Sequence, residues 1–300
     1  MVTVYESGRA FLEEAESAML AREAIFQNIL VNARNNADRK ADQDFFFGTV
    51  CLAGEPVLTF GNCHPWNLTV GCVLPQQEEP GGKIVPIRTR KEKIEEAAAE
   101  LAAYLKEEGI PLKGIHANGT VCRAFLTKYG SLAVKHLSMD IMVCRRLKEV
   151  PLCEGIYRSA QDRDMQWLLE GCVAFEKDVL GAEGDRELYL EDIKKHQLPE
   201  NRVRLLCLPD NTPVCMVKRC RELKYGFGIN QVYTLPAYRG KGYAQTLVYK
   251  ACEEFMKDGY SYATLYVDKK NPVSNRVYQK VGFEIVEEAY DYHFTEDVKK

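Results

Sequence analysis

A turn rich in glycine and basic residues joins a strand-like segment to a helix in the second half of the chain. It lies within VYTLPAYRGKGYAQTLVYKACEEF, residues 232–255. A helix start leaves backbone N–H groups unpaired and carries about half a positive charge. Gly240 and Gly242 remove side chains that would keep a phosphate away from those amides, and Arg239 and Lys241 add formal charge. The turn therefore predicts a diphosphate-binding site.

The turn does not match the common glycine-rich nucleotide motifs. A P-loop requires G-x-x-x-x-G-K-[ST], and a dinucleotide site requires G-x-G-x-x-G, whereas Gly242 is followed by Tyr243, Ala244 and Gln245. On its own, the turn is also compatible with a basic, solvent-exposed helix start that binds nothing. Other parts of the chain must distinguish these two interpretations.

Length, charge and hydrophobicity narrow the class of protein. A chain of 300 residues with 46% hydrophobic residues favours two medium-sized domains. The net charge is −3 and no basic patch stands out, so we expect a small substrate and no nucleic-acid partner. The sequence has no signal-like start and no run near the roughly eighteen apolar residues of a membrane span. We expect a cytoplasmic protein without membrane association.

The cysteine pattern is typical of reduced core thiols. There are eleven cysteines, in apolar segments and without a C-x-x-C pair. The nearest approach to a metal cluster is Cys63 and His64 with Cys72, whose spacing fits no standard zinc site. The sequence predicts packing for these residues, and no bound metal.

The two halves of the chain show the same order of predicted elements. Helical spacing over residues 9–34 precedes a hairpin, a third strand, a long helix and a further strand. In the second half, a helix, a hairpin, a strand, the basic turn with its helix, a strand and a short helix follow one another. We therefore place two domains at residues 1–150 and 151–300.

Individual positions support an internal duplication with a period of roughly 150 to 160 residues. The matched positions, first half before second, are Leu74-Pro75 with Leu235-Pro236, Gly109 with Gly259, Asn118 with Asn271, and Phe125 with Tyr278. Their common order and spacing favour a duplicated domain.

Two motifs of the second half resemble the GNAT family of N-acetyltransferases. The family's acyl-CoA signature [QR]-x-x-G-x-[GA] is matched by RGKGYA, Arg239–Ala244, and a second signature by NPVSNRVYQKVGF, Asn271–Phe283. The resemblance covers residues 155–295, and the first half looks like a diverged copy. It implies an α/β protein of two tandem domains, each with a mixed, mostly antiparallel sheet flanked by helices.

The resemblance also implies roles for individual residues. Tyr278 is expected to be the general acid that protonates the departing thiolate of coenzyme A. The remaining candidates would bind acetyl-CoA. A splayed strand would bind the pantetheine arm through Val232, Tyr233 and Thr234, and Asn271 would contact the same region. The turn would bind the diphosphate through Arg239, Gly240, Lys241, Gly242, Tyr243 and Ala244.

The implied reaction is direct attack of a neutral primary amine on the acetyl thioester, with a backbone amide of the splayed strand polarising the carbonyl. No covalent enzyme intermediate and no nucleophilic cysteine are expected. Candidates for the base are Glu222, Asp268, His196 or a water. The acceptor is a small-molecule amine, with a protein amine as an alternative, and a non-catalytic acyl-CoA sensor is the alternative function.

The first half departs from the family pattern where the chemistry would lie. After Leu74-Pro75 it has the acidic QQEEPGGKIVPIRTR, which would not attract a diphosphate, and Phe125 has no hydroxyl to donate. We therefore expect this half neither to bind CoA productively nor to catalyse. Its role would be to cover the sheet edge of the second half or to shape the acceptor pocket, in a monomer or homodimer.

Several aromatic residues are weaker candidates for contacts with the acceptor. Trp66 is expected to pack in the core or at a sheet edge. Four aromatic residues around the strand before the turn could line an acceptor site, namely Tyr225, Phe227, Tyr233 and Tyr238, although alternate strand positions normally face a core. Three residues near the C-terminal strands could also contact the substrate: Tyr290, Tyr292 and His293.

Overall fold

The chain folds into two compact units. The computed structural model describes residues 1–75, 89–181 and 183–295. One unit comprises residues 1–141 with 286–300, and the other comprises residues 142–285. Within the described residues, no helix combines the length and the apolarity needed to cross a membrane.

In the described residues of the first unit, four helices surround a sheet. Its elements are β1 (Val2–Val4), α1 (Gly8–Leu20), α2 (Gln27–Asn35), β2 (Phe45–Leu52), β3 (Glu55–Cys63), β4 (Leu68–Cys72), α3 (Arg90–Glu107), β5 (Gly114–Ala117), α4 (Gly119–Tyr129) and β6 (Ala133–Cys144). The last strand of the chain, β12 (Glu284–Phe294), pairs antiparallel with β5 and completes the strand order β1-β2-β3-β4-β5-β12-β6.

The side chains of β2 show how this sheet separates two cores. Phe46 packs with the cluster under α3 and α4, whereas Phe45 and Phe47 pack with the cluster that includes Phe11 of α1 and Leu30 of α2. Successive residues of a strand point to opposite faces, so one run of three phenylalanines serves both. The helices are thereby fixed on the two faces of the sheet.

The second unit contains the segment in which both GNAT-like motifs lie. Its elements are β7 (Ile156–Ser159), α5 (Met165–Phe175), α6 (Arg186–Asp192), β8 (Val203–Cys207), β9 (Pro213–Glu222), β10 (Gly226–Thr234), α7 (Tyr243–Lys257), β11 (Tyr262–Asp268) and α8 (Pro272–Val281). The strand order runs β11-β10-β9-β8-β7, and residues 142–144 at the end of β6 lie beside β11.

This unit also has a core on each face of its sheet. Leu206 of β8 packs with Leu247 and Phe255 of α7, whereas its neighbour Leu205 packs with Leu168 of α5. Alternation along one strand again serves two helical layers.

The internal order of the two units is the same. In each, an edge strand and three further strands pair antiparallel, a helix follows, and the next strand runs parallel to the strand before that helix. The predicted fold class is confirmed, since both units are α/β with mixed, mostly antiparallel sheets flanked by helices. The descent of both units from one duplicated domain stays a prediction.

The boundaries of the units differ from the predicted domains, 1–150 and 151–300. The predicted division assigned the last strand to the second domain, whereas the structure groups residues 286–294 of β12 with the first unit, because β12 pairs with β5. β6 was not predicted, because polar residues such as Lys135 and Asp140 weaken its strand pattern. Trp66, expected to pack, is 70% exposed.

The close packing at the end of α8 can be tested by the stability of two glycine variants. Gly282 has φ +119°, and a Cβ there would lie 2.5 Å from the carbonyl oxygen of Arg146. Gly259 has φ +100° but nothing within 4 Å of such a Cβ. Gly259→Ala should lower the free energy of unfolding by about 1–2 kcal/mol from backbone strain, and Gly282→Ala by about 3 kcal/mol or more because a clash is added.

Urea unfolding of both variants measures the difference. Equal losses in the two variants would contradict the close approach of Arg146 to the end of α8.

Candidate functional site

A cavity of about 630 Å³ lies within the second unit, where β10, the start of α7 and α8 meet. Most of the residues that the sequence analysis selected line it. The described lining residues are Asp178, Val232, Tyr233, Thr234, Tyr238, Arg239, Gly240, Gly242, Tyr243, Ala244, Gln245, Asn271, Val273, Ser274, Val277, Tyr278 and Lys280. Among the residues selected to bind acetyl-CoA or to act as the general acid, Lys241 alone lies outside this set.

One wall of the cavity is the unpaired edge of β10. Its parallel pairing with β11 extends only from Gly226–Tyr262 to Gly228–Thr264, although both strands continue. On the other side, β10 stays paired with β9 as far as Thr234. The strands therefore splay. Within the described part of the chain, no strand pairs with residues 232–234 on the side that faces the cavity.

A β-bulge accompanies the splay. Between Asn230 and Tyr233 the register of β10 against β9 shifts, and Gln231 has the positive φ of +48° that such an irregularity imposes. Bulges bend a strand and increase its local twist. The bulge therefore turns the end of β10 away from β11 and redirects its amides.

A second wall is the start of α7, where the chain leaves amides without partners. Gly242 is the N-cap with φ +86°, Gly240 has φ +77°, and no side chain caps the helix. Both glycines adopt left-handed backbone, which other residues adopt only with strain. The first N–H groups of α7 thus lie at the cavity, in an arrangement suited to an anion.

The charges around this helix start are partly neutralised. Arg239 donates to Asp178 at 2.6 Å and to the carbonyl oxygen of Thr234 at 3.0 Å. The ammonium of Lys241 lies 5.3 Å from the ring centre of Tyr238, and Lys280 contributes a further cation to the lining. Sequence reasoning missed Asp178 because it lies 61 residues from its partner and in no motif.

Tyr278 lies opposite, on α8, and lines the cavity while being only 8% exposed. Burial, with smaller contributions from the thiols of Cys215 and Cys252, raises the pKa of Tyr278 above its ordinary value. The phenol therefore keeps its proton at neutral pH. A buried, protonated hydroxyl at a cavity wall can donate a proton to a thiolate that forms beside it.

Asn271 has a structural task at the start of the same helix. Its side-chain oxygen accepts the amide of Ser274 at 3.0 Å and so caps α8. This bond leaves the side-chain nitrogen for any contact with a ligand. The same cap holds Tyr278, two turns further along the helix, at the cavity.

The predicted candidates for a base lie outside the cavity. His196 pairs with Glu200 at 2.9 Å, and its side chain is 56% exposed. Glu222 lies 3.4 Å from Arg219, and Asp268 accepts the amide of Lys270. Among the described residues, Asp178 is the only carboxylate of the lining.

The aromatic residues around β10 divide between cavity and core. Tyr233 and Tyr238 line the cavity, whereas Phe227 is fully buried and Tyr225 is 46% exposed. Residues at alternate strand positions were expected to share a face, and the bulge at Gln231 breaks that alternation.

The corresponding helix of the first unit has a similar start. Asn118 accepts the amide of Val121 and caps α4, as Asn271 caps α8. Phe125 is fully buried in the core of that unit. The acidic segment expected to repel a diphosphate lies largely outside the described residues, since positions 76–88 belong to it.

Part of the second unit matches a known protein family. Residues 175–283 match the sequence model of the Acetyltransferase (GNAT) family. No curated protein sequence matches the chain.

Solved structures resemble the chain over nearly its whole length. A GCN5-related N-acetyltransferase from Sphaerobacter thermophilus has a TM-score of 0.59 at 16% identity, covering 98% of this chain and 95% of its own. A GNAT-family acetyltransferase from Colwellia psychrerythraea has a TM-score of 0.53 at 10% identity, covering 98% and 100%. A GCN5-related N-acetyltransferase from Kribbella flavida has a TM-score of 0.52 at 15% identity, and the match covers 91% of this chain and 95% of that one. The chain therefore has the fold of these structures, and the match of residues 175–283 supports an acetyltransferase of the GNAT family, whose chemistry is acyl transfer from acyl-CoA.

Proposed function

We propose that the chain is an acetyl-CoA-dependent N-acetyltransferase whose second unit transfers an acetyl group to the primary amine of a small molecule. One observation carries the proposal. The splayed edge of β10, the uncapped start of α7 and the buried hydroxyl of Tyr278 line one cavity of about 630 Å³. Together they supply backbone groups for an extended chain, amides for a diphosphate and a proton donor.

Acetyl-CoA is a substrate that these walls fit. Its diphosphate would lie at the amides of residues 240–245, where two glycines leave open space in front of the backbone. Its pantetheine arm would lie along residues 232–234 and hydrogen-bond as an added strand, because β11 leaves that edge of β10 unpaired. Asn271 would contact the same arm through its side-chain nitrogen.

The reaction would proceed by direct transfer. The amine nitrogen forms a bond to the acetyl carbon while a backbone amide near the bulge stabilises the oxyanion. The C–S bond then breaks, and the departing thiolate takes the proton of Tyr278. The nitrogen releases its own proton to water, since Asp178 is engaged by Arg239, and water returns a proton to the phenolate of Tyr278. No cysteine is required, and burial raises the pKa of the Cys215 thiol to about 12.

The first unit would not take part in the chemistry. Phe125 stands at the position that corresponds to Tyr278, and its ring is fully buried and has no proton to donate. We therefore expect one acetyl-CoA per chain. The eleven free thiols fit a reducing, cytoplasmic location, and a monomer is sufficient for the proposed reaction.

The phosphate site can be tested by filling its open space. Gly242→Glu should weaken acetyl-CoA binding at least about 100-fold, because it places a negative side chain where the diphosphate would lie. Calorimetry should give one site per chain in the wild type, and weaker binding of an acetyl-pantetheine fragment that lacks the diphosphate. Gly259→Glu is the control, since Gly259 has a similar positive φ outside the cavity.

An equal loss of affinity in both glutamate variants would attribute the effect to backbone strain. Binding of two acetyl-CoA molecules per wild-type chain would refute the prediction that the first unit does not bind acetyl-CoA.

The general acid can be tested by removing one oxygen atom. Tyr278→Phe should lower kcat about 10²- to 10⁴-fold and leave the affinity for acetyl-CoA unchanged. Because the pKa of Tyr278 is raised, its ionisation should cause no loss of wild-type kcat between about pH 7 and pH 9. Thiol release against a panel of small amines and peptides measures kcat, with Tyr249→Phe on α7 as the control.

An unchanged kcat in Tyr278→Phe would exclude this residue as the acid. Tight binding of acetyl-CoA by the wild type, with no turnover of any amine, would favour a sensor.

The pairing of Arg239 with Asp178 predicts a variant that binds acetyl-CoA more tightly than the wild type. Asp178→Asn removes a negative charge beside the phosphate site and should increase affinity for acetyl-CoA about fivefold at low salt, an effect of about 1 kcal/mol. The gain should shrink as salt is added. Asp210→Asn, in the β8–β9 turn, should change nothing. Weaker binding in Asp178→Asn would mean that this carboxylate serves chiefly to position Arg239.

A further inference from the structure

Two histidines and an aspartate lie together on the sheet of the first unit. His136 belongs to β6, and Asp291 and His293 belong to β12. Their potential ligand atoms all lie within 4.8 Å of one another. Nε2 of His293 is 3.0 Å from Oδ2 of Asp291, and the rings of His136 and His293 stack with centroids 4.4 Å apart.

The strands present this cluster on the face opposite their core contacts. Residues two apart on a strand share a face, so Asp291 and His293 point the same way. Tyr290 and Tyr292 point the other way and pack on the core of the unit. The ammonium of Lys135 lies over those two rings, 5.1 and 5.8 Å from their centres, and so away from the cluster.

Two neighbouring side chains outside the cluster orient the carboxylate of Asp291. Asn67 donates to Oδ1 of Asp291 at 2.8 Å, and Nδ1 of His116 lies 3.6 Å from the same oxygen. The side chain of Asp291 is 14% exposed, whereas that of His293 is 51% exposed. A carboxylate oriented by half-buried partners, with its second oxygen beside an exposed imidazole, is an arrangement found at many metal sites.

This set of donors matches the preferences of Zn²⁺. Zinc takes imidazole nitrogens and carboxylate oxygens at about 2.0–2.2 Å, and three protein ligands leave a position open for water. We propose that His136, Asp291 and His293 together bind one Zn²⁺ per chain. The bound ion would also link β6 to β12.

The test is titration of ZnCl₂ into the metal-free full-length chain, followed by calorimetry. The wild type should bind one Zn²⁺ per chain, and His136→Ala and His293→Ala should each lose that binding. His196→Ala is the matched control, since it removes an exposed imidazole outside the cluster. Asn67→Ala should weaken Zn²⁺ binding about 10- to 100-fold, because it frees the carboxylate that Asn67 orients.

Substitution with Co²⁺ identifies the ligands independently. The absorption spectrum should show nitrogen and oxygen coordination, without the intense near-ultraviolet band of a thiolate ligand. Circular dichroism checks that the variants fold, and His136→Gln supplies a second, milder variant at this exposed position.

Three results would overturn the proposal: no binding to the wild type, binding that survives the removal of both His136 and His293, or a thiolate band with Co²⁺. Neither acetyl-CoA nor an amine is present in these measurements, so their outcome does not depend on the proposed transferase activity.

Discussion

The separation of β10 from β11 after Gly228 is the constraint on which the rest of the site depends. An unpaired strand edge inside a compact unit leaves backbone donors and acceptors that need partners. The bulge at Gln231 makes the separation possible, and β9 keeps the other edge of β10 paired through Thr234. The cavity exists because the sheet opens there. The start of α7 and the side chain of Tyr278 line that opening, and a substrate bound as an added strand would satisfy the exposed edge.

Much of the fold was predictable because its signals are local. Gly240 and Gly242 mark a backbone that ordinary residues adopt only with strain, and their spacing alone indicates where the helix begins. The turn residues Pro209-Asp210-Asn211-Thr212 indicate the β8–β9 hairpin, and Gly282 indicates the end of α8. The tyrosine seven residues after Asn271 then lies on the same helix, so one motif placed it at the cavity.

The remaining features arise from contacts between distant segments. Asp178 meets Arg239 across 61 residues, and β12 pairs with β5 although some 170 residues separate them. His136 and His293 come together only through the adjacent strands that carry them. No spacing in the sequence encodes such neighbours, and a predicted domain boundary at residue 150 could not anticipate a last strand that joins the first unit.

Hydrogen–deuterium exchange with and without acetyl-CoA tests the central claim most directly, since it reports on the backbone of both walls at once. The account predicts slower exchange at residues 232–234 and at the amides of residues 240–246 when acetyl-CoA is present, with no change in residues 115–130 of the first unit. Slower exchange in the first unit instead, or unchanged exchange along β10 while acetyl-CoA is bound, would contradict a substrate that completes the open sheet.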